Sequence, residues 1–88
     1  MVKGTTKSGF RFEVDPDAMN DMELVDVLAD DTMDEAFRMS HVLKKLLPGN
    51  QRKALYDHVR KDGRVPVDAV VAEVGEIFTA LGNTGKNS

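Results

Sequence analysis

The residues of this 88-residue chain that could do chemistry are few, and their spacing assembles none of the common sites. Asp15, Asp17 and Asp26 stand at the first, third and twelfth positions of a calcium-loop pattern. Its fifth position holds Met19 and its sixth Asn20, so a ligand and the glycine of the sharp turn are both missing. The three acids read as turn and helix-cap residues. His41 and His58 fall on different predicted helices, without cysteine and without the HExxH spacing of a zinc helix. Each reads as a surface or packing histidine. Ser8, Ser40 and Ser88 lack the strand–turn–helix setting of a nucleophile elbow. The glycines match neither a phosphate loop nor a dinucleotide fingerprint. The expectation is a protein that is not an enzyme, with no catalytic residues, no metal ligands and no cofactor.

Charge is more informative than any motif. The net charge of −3 argues against a general nucleic-acid binder, but the two signs are segregated. Every ionisable residue from Asp15 to Glu35 is acidic, and those from Arg38 to Arg64 are mostly basic, with Asp57 and Asp62 as the exceptions. Two readings stay open: oppositely charged faces that pair within the monomer at small gain, or a bipolar surface for head-to-tail stacking or a charged partner. On the second reading the partner-binding group is Arg52, Lys53, Arg60, Lys61 and Arg64. Met19, Met22, Met33 and Met39 are soft enough to line an adaptable groove, although at helical spacing such residues more often fill a core.

The elements that must position these residues are legible from periodicity. Val67, Val70, Val71, Val74, Ile77, Phe78 and Leu81 recur at helical spacing, with Asp68, Glu73, Glu76 and Thr79 elsewhere on the wheel. This predicts a helix over 66–81, opened by Pro66 and closed by Gly82. Phe10, Phe12 and Val14 alternate with Arg11 and Glu13, which predicts a strand over 10–14. Ser8-Gly9 is a turn signal, and 2–6 could supply its partner strand. A helix follows Asn20 as N-cap and reaches Ala29. Another opens at Thr32 with Glu35 as a capping box. It carries Ala36, Met39, Leu43, Leu46 and Leu47 on one face and ends before Pro48-Gly49. Asn50 caps a short helix over 51–61 with a thin stripe of Ala54, Leu55 and Val59, and Asp62-Gly63 turns the chain back. The expected fold is mainly α: a short N-terminal β-strand or hairpin followed by about four helices, packed as one small domain over 1–82. Residues 83–88, lacking apolar side chains, are expected to be a flexible tail. No apolar run is long enough for a signal peptide or a membrane span, and the lack of cysteine fits a reducing cytosol.

Four short stretches in fixed order carry a resemblance. They are Lys7-Ser8-Gly9-Phe10-Arg11-Phe12-Glu13-Val14-Asp15, Asp21-Met22-Glu23-Leu24, Asp62-Gly63-Arg64-Val65-Pro66 and Lys86-Asn87-Ser88. On these the chain resembles the small tail assembly chaperones of long-tailed (siphovirus-type) bacteriophages and prophages. The resemblance covers nearly the whole chain. It implies a mostly helical, non-enzymatic protein that coats the tape-measure protein and helps recruit tail-tube subunits. It also implies self-association, residence in the cytoplasm of the bacterial host, and absence from the mature virion. Many members are made in two forms, the longer by ribosomal slippage near the end of the gene. Gly85-Lys86-Asn87 can be encoded as GGA-AAA-AAC, which contains a slippery run, and slippage there would make this chain the short form. The alternative is a small helical regulatory or adaptor protein linked to nucleic acid, whose DNA binding would fall steeply with salt.

Overall fold

The computed structural model describes the backbone of residues 1–86 and the side chains of residues 1–82. The chain begins with an antiparallel hairpin of β1 (Val2–Thr5) and β2 (Arg11–Val14). The register pairs Val2 with Val14 and Gly4 with Phe12. Its loop closes as a three-residue turn: Thr6 N–H donates to Phe10 C=O at 2.9 Å, and Gly9 N–H to Thr6 C=O at 2.9 Å. Gly9 takes φ +96°, the left-handed region that such a loop requires and that glycine enters without strain. The hairpin is not free-standing. Phe10, Phe12 and Val14 are buried in the core together with Val70, Val74, Ile77 and Leu81. Gly4 matters here for space: a Cβ built on it would lie 2.6 Å from Cζ of Phe12, whose ring sits across the facing strand.

A short 3₁₀ helix, Pro16–Met19, follows, then α1 (Met22–Ala29), α2 (Glu35–Leu46), α3 (Gly49–Val59) and α4 (Val67–Lys86). The mainly helical class and the N-terminal hairpin are as expected. Several boundaries are not. Asn20 ends the 3₁₀ helix, and the N-cap of α1 is Asp21, whose extended backbone lets its carboxylate accept from Glu23 N–H at 2.9 Å and Leu24 N–H at 3.4 Å. Thr32 does not open α2, because its N–H and hydroxyl both donate to Asp30. Asp34 caps instead, accepting from Ala36 N–H at 2.9 Å. Asn50 lies inside α3 rather than before it; Pro48 begins that helix, with its carbonyl accepting from Arg52 N–H. α3 stops at Val59, since Lys61 and Arg64 exchange both backbone bonds across the Asp62-Gly63 turn. Both turn residues have positive φ, the two-residue hairpin geometry that Asp-Gly favours.

The largest differences concern α4. Gly82 does not close it. The helix runs on to Lys86, because a glycine inside a helix costs only about 1 kcal/mol relative to alanine and no proline follows to stop it. Residues 83–86 of the expected tail are therefore helical, and Asn87 and Ser88 lie outside the described residues. The helix is also rolled about its axis relative to the apolar pattern. Val70, Val74, Ile77 and Leu81 face the core with Glu73 beside them, whereas Val71 and Phe78 are half-buried and Val67 is exposed.

Candidate interaction surface

The reason for that roll is a polar cluster that joins the hairpin loop to α3 and α4. Glu73 is only 3% exposed. Its Oε1 accepts from the hydroxyl of Thr6 at 3.0 Å and from that of Ser8 at 2.5 Å. Nε2 of His58 lies 2.9 Å from Ser8 Oγ, and the His58 ring packs 5.7 Å from that of Phe10. One turn along α4, Glu76 accepts from Lys7 N–H at 2.9 Å. A hydroxyl has one proton to give. With the Ser8 proton directed to Glu73, His58 must donate through Nε2–H to Ser8 Oγ. A histidine that donates there holds no lone pair toward the hydroxyl, so this arrangement anchors the loop and leaves Ser8 unactivated. Sequence reading placed Ser8, His58 and Glu73 in three unrelated contexts, and no local pattern links them. The one available signal was a glutamate flanked by Val70, Val74 and Ile77.

A second polar anchor holds the outer edge of β2. The Gln51 side-chain amide both accepts from Glu13 N–H, at 2.7 Å, and donates to Glu13 C=O, much as a neighbouring strand would.

On another side, α2, α3 and the start of α4 leave an open apolar groove of about 190 Å³. Ala36, Met39, Ser40 and Leu43 of α2 form one wall, Tyr56 of α3 the other, and Val65, Val67 and Val70 the end. None of the five expected partner-binding cations lines it; they are neighbours in the chain of the lining residues Tyr56 and Val65. Tyr56 has Arg52 one turn before it on the same side of α3, and Arg60 is the residue just past the end of that helix. Lys61 and Arg64 face one another across the turn that delivers Val65. Lys53 is exposed on α3 next to Arg52. Arg60 pairs with Asp57 at 3.2 Å, an exposed pair of little strength. Asp62 and Asp68 are the other acids of this stretch, so it remains net positive.

The two charged segments form an ion pair within the molecule. Lys45, near the end of α2, reaches Asp21 at 3.3 Å and Glu23 at 3.4 Å. Partial burial works against the charged form of Asp21, but the hydrogen bond from Lys45 and those from the Leu24 and Glu23 N–H groups outweigh it and hold its carboxyl below the usual range. The same contact to Asp21 raises Lys45 above the ordinary lysine value. The Thr32 hydroxyl and N–H lower Asp30 in the same way. Arg38 reaches back to the Asp30 carbonyl at 3.1 Å. Asp15 and Asp34 serve as caps, and Asp26 projects from the exposed side of α1.

Most of the methionines are not buried. Met22 is 68% exposed and Met19 is exposed, while Met33 and Met39 are half-buried. Phe37, on the outer face of α2, is 69% exposed. Among the described residues no three His, Asp or Glu side chains converge as a metal site would require, and no helix is long and apolar enough to cross a membrane. Comparison of the chain with family models, with curated proteins and with solved structures finds no match.

Proposed function

We propose that this chain is a non-enzymatic tail assembly chaperone of a long-tailed phage or prophage, which shields apolar helices of the tape-measure protein before the tail tube is built around it. The observation that carries the proposal is the open apolar groove between α2, α3 and α4, in a chain whose segment from Arg38 to Arg64 is mostly basic. Such a groove suits an amphipathic helix laid in by its apolar face. Met39 lines it with a side chain able to adapt to varied clients. On this reading Arg52, Arg60, Lys61 and Arg64, from the same stretch of chain as Tyr56 and Val65, meet acidic residues on the client's polar face. The order of the four sequence stretches supports the same reading, as does the helical body. On this reading the tail-tube subunit is a second partner, and the protein acts in the host cytoplasm and leaves before the virion is complete.

The test is co-expression with the cognate tape-measure protein. The expected result is a soluble complex that purifies with this chain. Reversing Lys61 and Arg64 to glutamate should lower its yield several-fold. A tape-measure protein that stays insoluble and unbound beside abundant folded chaperone refutes the proposal.

A further inference from the structure

We infer that Asp62 is a site of spontaneous backbone modification: the Gly63 nitrogen closes on the Asp62 carboxyl, and the ring reopens to leave isoaspartate in the turn between α3 and α4. The inference concerns the chain's own chemistry and does not depend on the function proposed above. Asp62 is the only aspartate of the sequence followed by glycine. Among the described residues it is also the only non-glycine residue with positive φ, at 54°, a region that Asp tolerates at some steric cost. Its side chain is exposed and makes no hydrogen bond or ion pair among the described residues. By contrast, the carboxylates of Asp15, Asp21, Asp30 and Asp34 are each held by the backbone N–H two residues on. The nucleophile is equally free. The two bonds that close the turn run between Lys61 and Arg64, at 2.7 and 3.0 Å, and neither uses the N–H of Gly63. Gly63 has no Cβ to shield that nitrogen, and the space into which one would project is open for 4 Å.

The step needs no catalyst and no partner beyond water. The Gly63 nitrogen bonds to Cγ of the protonated carboxyl, one Cγ–O bond breaks, and the nitrogen's proton leaves with that oxygen as water. Both reacting atoms belong to one short stretch of chain, so closure of the succinimide ring is intramolecular and gains from proximity. It requires the peptide plane between Asp62 and Gly63 to swing round, which the Lys61–Arg64 bonds resist. Those bonds sit in an exposed turn, where local opening costs little, and glycine accepts the φ of either plane. Water then opens the ring at one of its two carbonyls. Attack at the main-chain carbonyl breaks its bond to nitrogen and leaves the chain running through Cγ, with the former main-chain carbonyl as a free carboxylate. Charge and mass are unchanged, but the main chain is longer by one carbon. Lys61 and Arg64 then cannot keep both bonds, and the junction that delivers Val65 to the groove and leads into α4 loosens.

The experiment is incubation of the purified, folded chain in oxygen-18 water, warm but below its melting transition. It is followed over weeks by peptide mapping with a protease that cuts before aspartate but not before isoaspartate. Each passage through the ring takes one oxygen from the solvent. The expected result is label concentrated in the peptide that holds Asp62, with a growing fraction resistant to cleavage there. In that fraction the Arg64 N–H should exchange with solvent many-fold faster than in the parent. Two variants test the chemistry, with circular dichroism to check that both fold. Asp62→Asn keeps a residue that tolerates positive φ and closes the same ring with ammonia leaving, so it should convert several-fold faster than the parent. Asp62→Glu would have to close a larger ring and should take up label many-fold more slowly. Label no higher at Asp62 than at the other aspartates overturns the inference. So does an Asp62→Glu chain that labels as fast as the parent, and so does label at Asp62 without any cleavage-resistant fraction.

Discussion

Glu73 offers the sharpest test of how this fold is held. Its carboxylate is 3% exposed and accepts from the hydroxyls of Thr6 and Ser8, which tie the N-terminal loop to the middle of α4 across 67 and 65 residues of chain. A hydrogen bond to a charged group contributes ~1.5–3 kcal/mol and a neutral one ~0.5–1.5 kcal/mol. Glu73→Gln keeps the shape and an acceptor oxygen, so only the charge is lost, and the two bonds together weaken by about 2 kcal/mol. Glu73→Ala removes the acceptor. Thr6, only 5% exposed, then has one other acceptor, since its hydroxyl lies 3.1 Å from that of Ser8. That rearrangement holds the expected loss near 3 kcal/mol, below the ~3–6 kcal/mol of two charged bonds lost outright. In a domain of this size 1 kcal/mol moves the melting temperature by ~4–8 °C, so Glu73→Gln should melt about 8–16 °C lower. Urea unfolding followed by circular dichroism measures both variants, with an unchanged slope showing that the transition stays comparable. The two substitutions should rank Gln above Ala. If Glu73→Ala unfolds within about 0.5 kcal/mol of the parent, as an ordinary surface change would, the carboxylate is not holding the loop and the argument fails.

Two further outcomes follow from other contacts. Gly4→Val places methyl groups where the Phe12 ring already lies 2.6 Å from a bare Cβ, and Phe12, 5% exposed, has little room to move. The cost should be about 1–3 kcal/mol from overpacking, read from the urea midpoint, and an unchanged midpoint would mean that the ring does not cross Gly4. The Lys45 contact makes a prediction about pH. Asp21 is held below its ordinary value when folded, so its contribution is present at neutral pH and is lost as pH falls through the range below ~4, where the folded group protonates. Lys45 is raised, so its contribution persists until the solution is more alkaline than the ordinary lysine value and is lost above that. Lys45→Met should therefore flatten the acid limb of the stability profile relative to the parent, and identical acid limbs would show that the pair does not couple to folding.

The class of fold was readable because it rests on local periodicity. Alternation at Phe10, Phe12 and Val14 and helical spacing through Val70, Val74, Ile77 and Leu81 each demand a buried face, whatever that face meets. The Ser8-Gly9 and Asp62-Gly63 turns were legible for the same reason, since positive φ selects Gly and tolerates Asp within a few residues of chain. Helix starts were less so. Asn20, Thr32 and Asn50 are good caps by type, but Asp21 and Asp34 hold the first two positions and Pro48, with no side-chain acceptor, the third, and only the path of the chain chooses among such neighbours.

The candidate surfaces divide along the same line. Segregation of acid and base along the chain is a property of order, and it marked Arg52, Lys53, Arg60, Lys61 and Arg64 before any fold was known. That their stretch also supplies Tyr56 and Val65 to an apolar groove depends on how α3 packs on α2 and α4. The burial of Glu73 likewise depends on where the hairpin loop comes to rest, because a carboxylate turns inward only when donors far away in sequence arrive to meet it. Period and turn chemistry act between near neighbours and are written in the sequence; the groove and the Glu73 anchor are decided by contacts between segments dozens of residues apart.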